Sequence, residues 1–344
     1  RHAGPAIAAL ARTCGALVAT SAVANGLFVE DEFALGISGG FSSPTTADLI
    51  AGADLVVGWG CALNMWTMRH GRLIGPDARV VQVDDDIDAI GAHRPVDLGV
   101  LGDCEPTARD VLVELQRSGA GEVTGYRTAE VAARIARTGR WRDIAVDDSS
   151  TGERVDPRAL TIALDEILPT QRIVSIDSGN FMGYPATHLS VPDENGFCFT
   201  QAFQSIGLGL GTAIGAAFAR PDRLPVLGTG DGGFLMAIAE LETAVRCALP
   251  LVVIVYNDSA YGAEVHHFTA ADHSTVTFPD TDIAAVAQGF GAAGVTVRSV
   301  ADLAPVGEWV DRYRRTGRAR PLVIDAKITS DGGAWWLAEA FAGH

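Results

Sequence analysis

The stretch GTGDGGFLMAIAELETAVRCALPLVVIVYNDSAYG occupies residues 228–262. It opens with Asp231 between glycines, passes through a helix-like segment, AIAELETAVRCA, and ends in a run of β-formers, PLVVIVYN, that stops at Asn257 and Asp258. A second apolar run, LPVLGTG, leads into it, so two strands flank a helix. In a right-handed β-α-β unit the two strands are parallel and their carboxyl ends emerge side by side. Asp231 and Asp258 are therefore expected at one edge of one sheet. Gly232 and Gly233 place bare backbone N–H groups at a helix start beside Asp231, which suits a phosphate. A lone Asp among glycines is only a turn preference; the second acidic strand tip makes the pair a candidate site. Two carboxylates and a turn carbonyl fit Mg²⁺ gripping a diphosphate.

Outward from this stretch the chain alternates strand and helix. ADLVVGWG, ARVVQVDDD and RIVSID are apolar runs ending in Gly or Asp, PLVIDAKI is a further strand, and PRALTIALDEIL, GTAIGAAFA and DIAAVAQGF have helical composition. Continuous apolar runs mark strands buried on both faces, as in a parallel sheet covered by helices. The fold class read here is α/β, two doubly wound parallel-sheet domains, with ligands expected at the carboxyl ends of the strands. The divisions fall at 1–118, a helix and polar linker over 119–156, and 157–344.

With 344 residues, 48% of them hydrophobic, the chain is long enough for two ordinary domains. A net charge of −16 argues against nucleic acid, whose phosphates are held by Lys and Arg clusters. No apolar run reaches a membrane-spanning length, which gives an expectation of no membrane partner. Five scattered cysteines without a CxxC pair read as free thiols of a cytoplasmic protein.

Taken together, GDG at Gly230–Gly232, then 24 residues, then Asn257-Asp258 and Tyr261-Gly262, resembles the thiamine diphosphate signature. FALGISGGFSSPTTADLIAGADLVVGWGCAL and ARVVQVDDDIDAIGAHRPVDLGVLGD look like the central domain of the acetolactate synthase and benzoylformate decarboxylase superfamily, and the chain from about 157 on looks like its diphosphate-binding domain. The resemblance implies a Rossmann-like central domain that lacks its first strand, and a thiamine diphosphate-binding fold. It makes Asp231, Asp258 and the carbonyl of Ala260 ligands of Mg²⁺. Ser178, Gly179, Asn180, Gly230, Gly232, Gly233, Tyr261 and Gly262 would lie along the diphosphate. Gln204 stands where the family often has a Gly whose carbonyl receives the aminopyrimidine amine. Ile206 falls on the position whose side chain wedges between the cofactor's rings. That bend lets the aminopyrimidine nitrogen take the thiazolium proton at high effective molarity, and the thiazolium then serves as an electron sink.

The chain departs from the family pattern in places. Asp258 replaces the usual second Asn, adding charge beside an anionic diphosphate, and Phe181 stands where acetolactate synthases tend to show His. The family's catalytic glutamate belongs to an N-terminal pyrimidine-binding domain absent from this sequence. The expectation is a piece of a longer protein, inactive alone, with its catalytic residue unknown. Glu240 and Glu242 read as a solvated helix face, and His266 and His267 are candidates for substrate contact only. The central domain of some relatives holds FAD; here Gly58–Gly60 and Asp84–Asp86 are equally explained as turns, so FAD has no support from the residues. GLGLGTAIG from Gly207 is not read as a dinucleotide fingerprint, because NGFCFTQAFQS before it is a poor strand. The intact protein is expected to be a homodimer or homotetramer acting on a small 2-oxo acid. Acetolactate synthase-like carboligation is favoured over a benzoylformate decarboxylase-like decarboxylase or an aldehyde lyase, and the alternative of another class is a non-catalytic regulatory or assembly subunit.

Overall fold

The computed structural model describes residues 2–119, 121–200, 203, 205–330 and 332–340. The chain forms two compact units, the first running to Ile144 and the second covering Ala145–Ala338.

In the first unit α1 (Gly4–Cys14) ends on Gly15 in the left-handed region, and β1 (Val18–Thr20) pairs in parallel with β2 (Ala34–Ile37). α2 (Pro44–Ala51) begins on Ser43, whose side chain caps the Thr46 N–H. β3 (Leu55–Trp59), α3 (Met65–Met68), β4 (Arg79–Asp84), β5 (Leu98–Leu101), α4 (Cys104–Arg117) and α5 (Ala129–Thr138) follow. β3, β4 and β5 form a second parallel sheet in that order. The core gathers Phe33, Leu35, Ile50, Leu63, Val80 and Ile135. Ile135 belongs to α5, and Thr138 at its end bonds Thr45 at 2.7 Å, so the amphipathic helix between the two sequence domains packs in the first unit.

The second unit is built on one parallel sheet. Its elements are α6 (Pro157–Ile167), β6 (Arg172–Ile176), α7 (Gly183–His188), β7 (Phe197–Phe199), α8 (Gly209–Ala219), β8 (Leu224–Gly230), α9 (Asp231–Met236), α10 (Glu240–Arg246), β9 (Val252–Asn257), α11 (Gly262–His267), α12 (Ile283–Gly289), β10 (Ala293–Val297), α13 (Ala304–Thr316), β11 (Leu322–Lys327) and α14 (Trp335–Ala340). The strand order is β10-β11-β9-β8-β6-β7. β6, β9 and β11 are buried along their whole lengths, as their apolar runs require. After β6 the chain first adds β7 on one side and then β8 on the other, so the strand order reverses at β6. Open α/β sheets bind ligands outside the carboxyl ends of the strands at such a reversal.

Three local readings change. NGFCF does supply a strand, β7, paired with β6, but it is a three-residue edge strand separated from Gly207 by residues 200–206. Among the described residues no strand runs directly into GLGLG, as a dinucleotide fingerprint requires. The helix after the GDG turn is two helices: α9 starts on Asp231 itself, Ala237 leaves helical geometry at φ −100° and ψ 8°, and α10 restarts to bury Leu241 and Ala244. β10 and α13 went unread, and the return from β10 inserts β11 between β10 and β9.

Candidate functional site

Three strand ends converge at the switch point. Asp177 follows β6, Asp231 follows β8, and Asn257 closes β9 immediately before Asp258. β8 and β9 are parallel, with Gly230 opposite Tyr256, so positions 231 and 258 leave the same edge of the sheet. Asp231 is 3% exposed. Burial pushes its carboxyl up to about 6, although backbone N–H groups of Gly232, Asp231 and Ser259 favour the charged form; the charge of Asp325 adds to the rise. The Ser259 N–H, in the turn after β9, faces Asp231 closely enough to favour its charge, while its hydrogen bond goes to Oδ1 of Asn257 at 3.1 Å. Ser259 itself sits in the left-handed region at φ 64°, where a non-glycine residue needs outside support. Asp258 lies against Gly262: a methyl group there would stand 2.6 Å from its Oδ2. Ala260 bridges to Thr277, and the Tyr261 N–H donates to the Val276 carbonyl at 2.8 Å.

The glycines are required by neighbouring side chains. A methyl on Gly232 would stand 2.3 Å from Cε1 of Tyr261, and one on Gly233 would stand 2.6 Å from Oδ2 of Asp177. Phe181 fills the corresponding space at Gly179, 2.7 Å away, and at Gly230, 3.2 Å away. The Tyr261 ring is in turn held edge-on by Phe278 at 4.7 Å. The residues expected along a diphosphate, Ser178, Gly179, Asn180, Gly230, Gly232, Gly233, Tyr261 and Gly262, thus surround the three strand ends. Asn180 is also tied to the C-terminal segment, its Oδ1 accepting the Ala334 N–H at 3.0 Å and its carbonyl accepting Nε1 of Trp336 at 3.1 Å.

Ile206 is half-buried just before Gly207. Gln204 lies outside the described residues. His266 is half-buried, with Gly333 against it (a methyl there would stand 3.1 Å from its Cβ), and His267 is exposed with Phe268 edge-on at 4.7 Å. Glu242 pairs with Arg246 in the open, as a solvated helix face would. In the first unit, Asp84 and Asp86 accept N–H groups of their own turn, those of Asp86 and Asp88, at 3.2 and 2.9 Å, the behaviour of strand-end turns.

Asp177 is the site residue that the sequence reading passed over. It is 1% exposed, and burial raises its carboxyl above the usual range. Its oxygens accept the N–H groups of Ser178 (2.9 Å) and Gly207 (3.0 Å to each oxygen) and the Thr229 hydroxyl at 3.2 Å. One carboxylate therefore ties the end of β6 to the end of β8 and to the turn that carries Ile206. The signal was an Asp closing the apolar run RIVSID.

Among the described residues no group of three or more His, Cys, Asp or Glu side chains is arranged to hold a metal ion. The candidate set is two carboxylates and a backbone carbonyl, all oxygen, which is the sparse protein contribution Mg²⁺ takes when phosphate oxygens and water complete its shell. The five cysteines are free, and no helix among the described residues is long and apolar enough to cross a membrane.

Residues 177–326 match the C-terminal TPP binding domain of the thiamine pyrophosphate enzymes, and residues 1–111 match their central domain. Among curated relatives, sulfoacetaldehyde acetyltransferase of Alcaligenes xylosoxydans xylosoxydans is 27% identical over 94% of this chain and 58% of its own length. The acetolactate synthase large subunit of Parasynechococcus marenigrum is 29% identical over 81% of this chain and 45% of its own. Pyruvate oxidase of Lactiplantibacillus plantarum is 27% identical over 73% and 41%. The chain thus spans about half the length of the curated relatives it matches. The pairing of these two domains, with the acidic tips of β8 and β9 meeting at the switch point, makes this chain a member of the thiamine pyrophosphate enzymes.

Proposed function

We propose that the chain is part of a thiamine diphosphate- and Mg²⁺-dependent enzyme that acts on 2-oxo acids and passes the acyl fragment to a second carbonyl compound, an acetolactate synthase-like carboligation. The observation that carries the cofactor half of this reading is the buried Asp231 carboxylate, at the same sheet edge as the turn that bears Asp258 and Ala260. A carboxylate kept from water beside a second acidic residue calls for a cation, and its oxygen-only surroundings select a hard one. When bound, thiamine diphosphate supplies an electron sink for the bond broken next to a carbonyl. Asp231, Asp258 and the Ala260 carbonyl would hold the cation that neutralises the diphosphate. Ser178, Gly179, Asn180, Gly233, Tyr261 and Gly262 would border that tail, and Ile206, next to the Gly207 N–H bonded to Asp177, would orient the rings. His266 and His267 stand on the helix that starts at Gly262 and are the chain's candidates for substrate contact. Two of the relatives carry an acetyl or acetolactate product in their names, which favours acyl transfer. The pyruvate oxidase relative shows that the same domains serve another outcome, and a decarboxylase or lyase differs only in the fate of the acyl fragment.

The test is calorimetric titration of the intact protein with thiamine diphosphate and Mg²⁺. Asp258→Asn keeps binding and Asp231→Ala loses it; undiminished binding by Asp231→Ala refutes the site. Product analysis with pyruvate then separates acetolactate, the expected outcome, from free acetaldehyde.

A further inference from the structure

Behind the turn that carries Asp258 and Ala260 lies a polar chain that the proposed function does not use. Lys327, at the end of β11, is 2% exposed. Its Nζ donates to Oδ1 of Asp280 at 2.5 Å and to the Thr281 carbonyl at 2.8 Å, and pairs with Oδ2 of Asp325 at 3.1 Å. Asp325 is fully buried, and its Oδ1 accepts Nδ2 of Asn257 at 2.8 Å. Asn257, 2% exposed, uses its Oδ1 to accept the Ser259 N–H at 3.1 Å. From the other side Arg154 donates to the Asn257 carbonyl at 3.2 Å and to the Ser259 hydroxyl at 3.4 Å. The Phe278 N–H closes the ring on the Ser259 carbonyl at 2.7 Å.

The sense of these bonds is dictated chemically. A carboxylate can only accept, so Asp325 forces the amide nitrogen of Asn257 toward itself and leaves the amide oxygen for the turn. With the amide reversed, two donors would face each other at Ser259, and the left-handed residue would lose the bond that holds it. A buried ion pair is weak evidence for stability, because apolar replacements often serve as well; a registry role is what this one is placed to perform.

We propose that the Lys327–Asp325 pair positions the cation site: through Asn257 it fixes the Ser259 turn, and with it where Asp258 and the Ala260 carbonyl stand. Lys327, Asp325, Asn257 and Arg154 are positioning residues that do not touch cation or cofactor. This inference rests on the reading of Asp231, Asp258 and Ala260 as cation ligands.

The experiment is Mg²⁺ titration of the intact protein at saturating thiamine diphosphate, followed by calorimetry, with the melting temperature of each variant measured without cation. Outer groups that orient metal ligands change affinity by about 10- to 100-fold when removed. Asp325→Asn, which lets the Asn257 amide turn either way, is expected to weaken Mg²⁺ by about tenfold or more. Arg154→Met, at a half-buried position, is expected to act in the same direction and serves as the test if the first variant does not accumulate. Asp165→Asn is the control for mere destabilisation, because it breaks the comparably buried pair with Arg172 at the opposite end of the same sheet. It should lower the melting temperature and leave Mg²⁺ affinity within about twofold of the parent, well short of the change expected for an outer ligand group. If Asp325→Asn, or Arg154→Met in its place, binds Mg²⁺ like the parent while Asp231→Ala does not bind it, the positioning role is wrong and the cation site stands. Equal weakening by Asp165→Asn likewise overturns the positioning role. Undiminished Mg²⁺ binding by Asp231→Ala overturns the cation site itself.

Discussion

Gly233 and Gly215 are both helical glycines, and the structure gives them opposite roles. A methyl at 233 would stand 2.6 Å from Oδ2 of Asp177 and 3.2 Å from Oγ1 of Thr229, both buried and neither able to retreat. Gly215, within α8, has nothing within 4 Å of the same position. Gly233→Ala is therefore expected to cost about 1–3 kcal/mol through overpacking and to weaken thiamine diphosphate, because Asp177 is the post for the Gly207 turn. Gly215→Ala should stabilise by up to about 1 kcal/mol. Urea melts of the two variants check both signs, and a neutral Gly233→Ala would contradict the packing described here. The spacing of Asp231 and Asp258 was legible at this scale. The reason for each glycine was not: the sequence suggested open backbone for a phosphate, whereas Phe181, Tyr261 and Asp177 occupy the space a side chain would need. Asp177 itself was invisible as an organiser because its partners, Gly207 and Thr229, lie 30 and 52 residues away.

At the scale of elements, α9 begins on Asp231 and buries its carboxylate at the start of a helix, which sets a pH dependence. A carboxyl held at about 6 instead of 3.8 corresponds to about 3 kcal/mol at most. Its folded value is raised, so the contribution to apo stability is complete below about pH 4 and is lost as pH rises through about 6. Under the proposed function a cation would need Asp231 deprotonated, so protection by Mg²⁺ is expected to run the other way, strong near pH 7.5 and fading below about 6. Asp231→Asn removes both effects: its apo melting temperature near pH 7.5 should lie above the parent's and should not respond to Mg²⁺. Thermal scans with and without Mg²⁺ at about pH 5 and 7.5 decide this, and an apo parent more stable near 7.5 than its Asn variant would contradict it. The strands β6, β8, β9 and β11 could be read because burial on both faces leaves uninterrupted apolar runs. PLVIDAKI also passed as a plain strand, and its Asp325 and Lys327 were not singled out, because only the pairing of β11 with β9 brings them to Asn257.

Over the whole molecule, large apolar side chains remain at the surface of the second unit. Phe203 is 79% exposed, Phe218 60%, Phe268 56% and Met236 55%. Apolar exposure marks an associating surface where the side chains form one contiguous patch. The intact protein is expected to be a homodimer or homotetramer by light scattering at micromolar concentration, and a monomer there would count against that expectation. By itself the sequence determined the α/β class, the second unit's main parallel strands and the meeting of two acidic strand tips, because burial pattern and right-handed crossover are local rules. Only the tertiary structure decided that β11 inserts beside β9, that Asp177 joins three segments, and that the turn carrying Asp258 and Ala260 rests on Asn257, Asp325 and Lys327. Those contacts join residues far apart in the chain, and strand order, which no local pattern encodes, determines which of them meet.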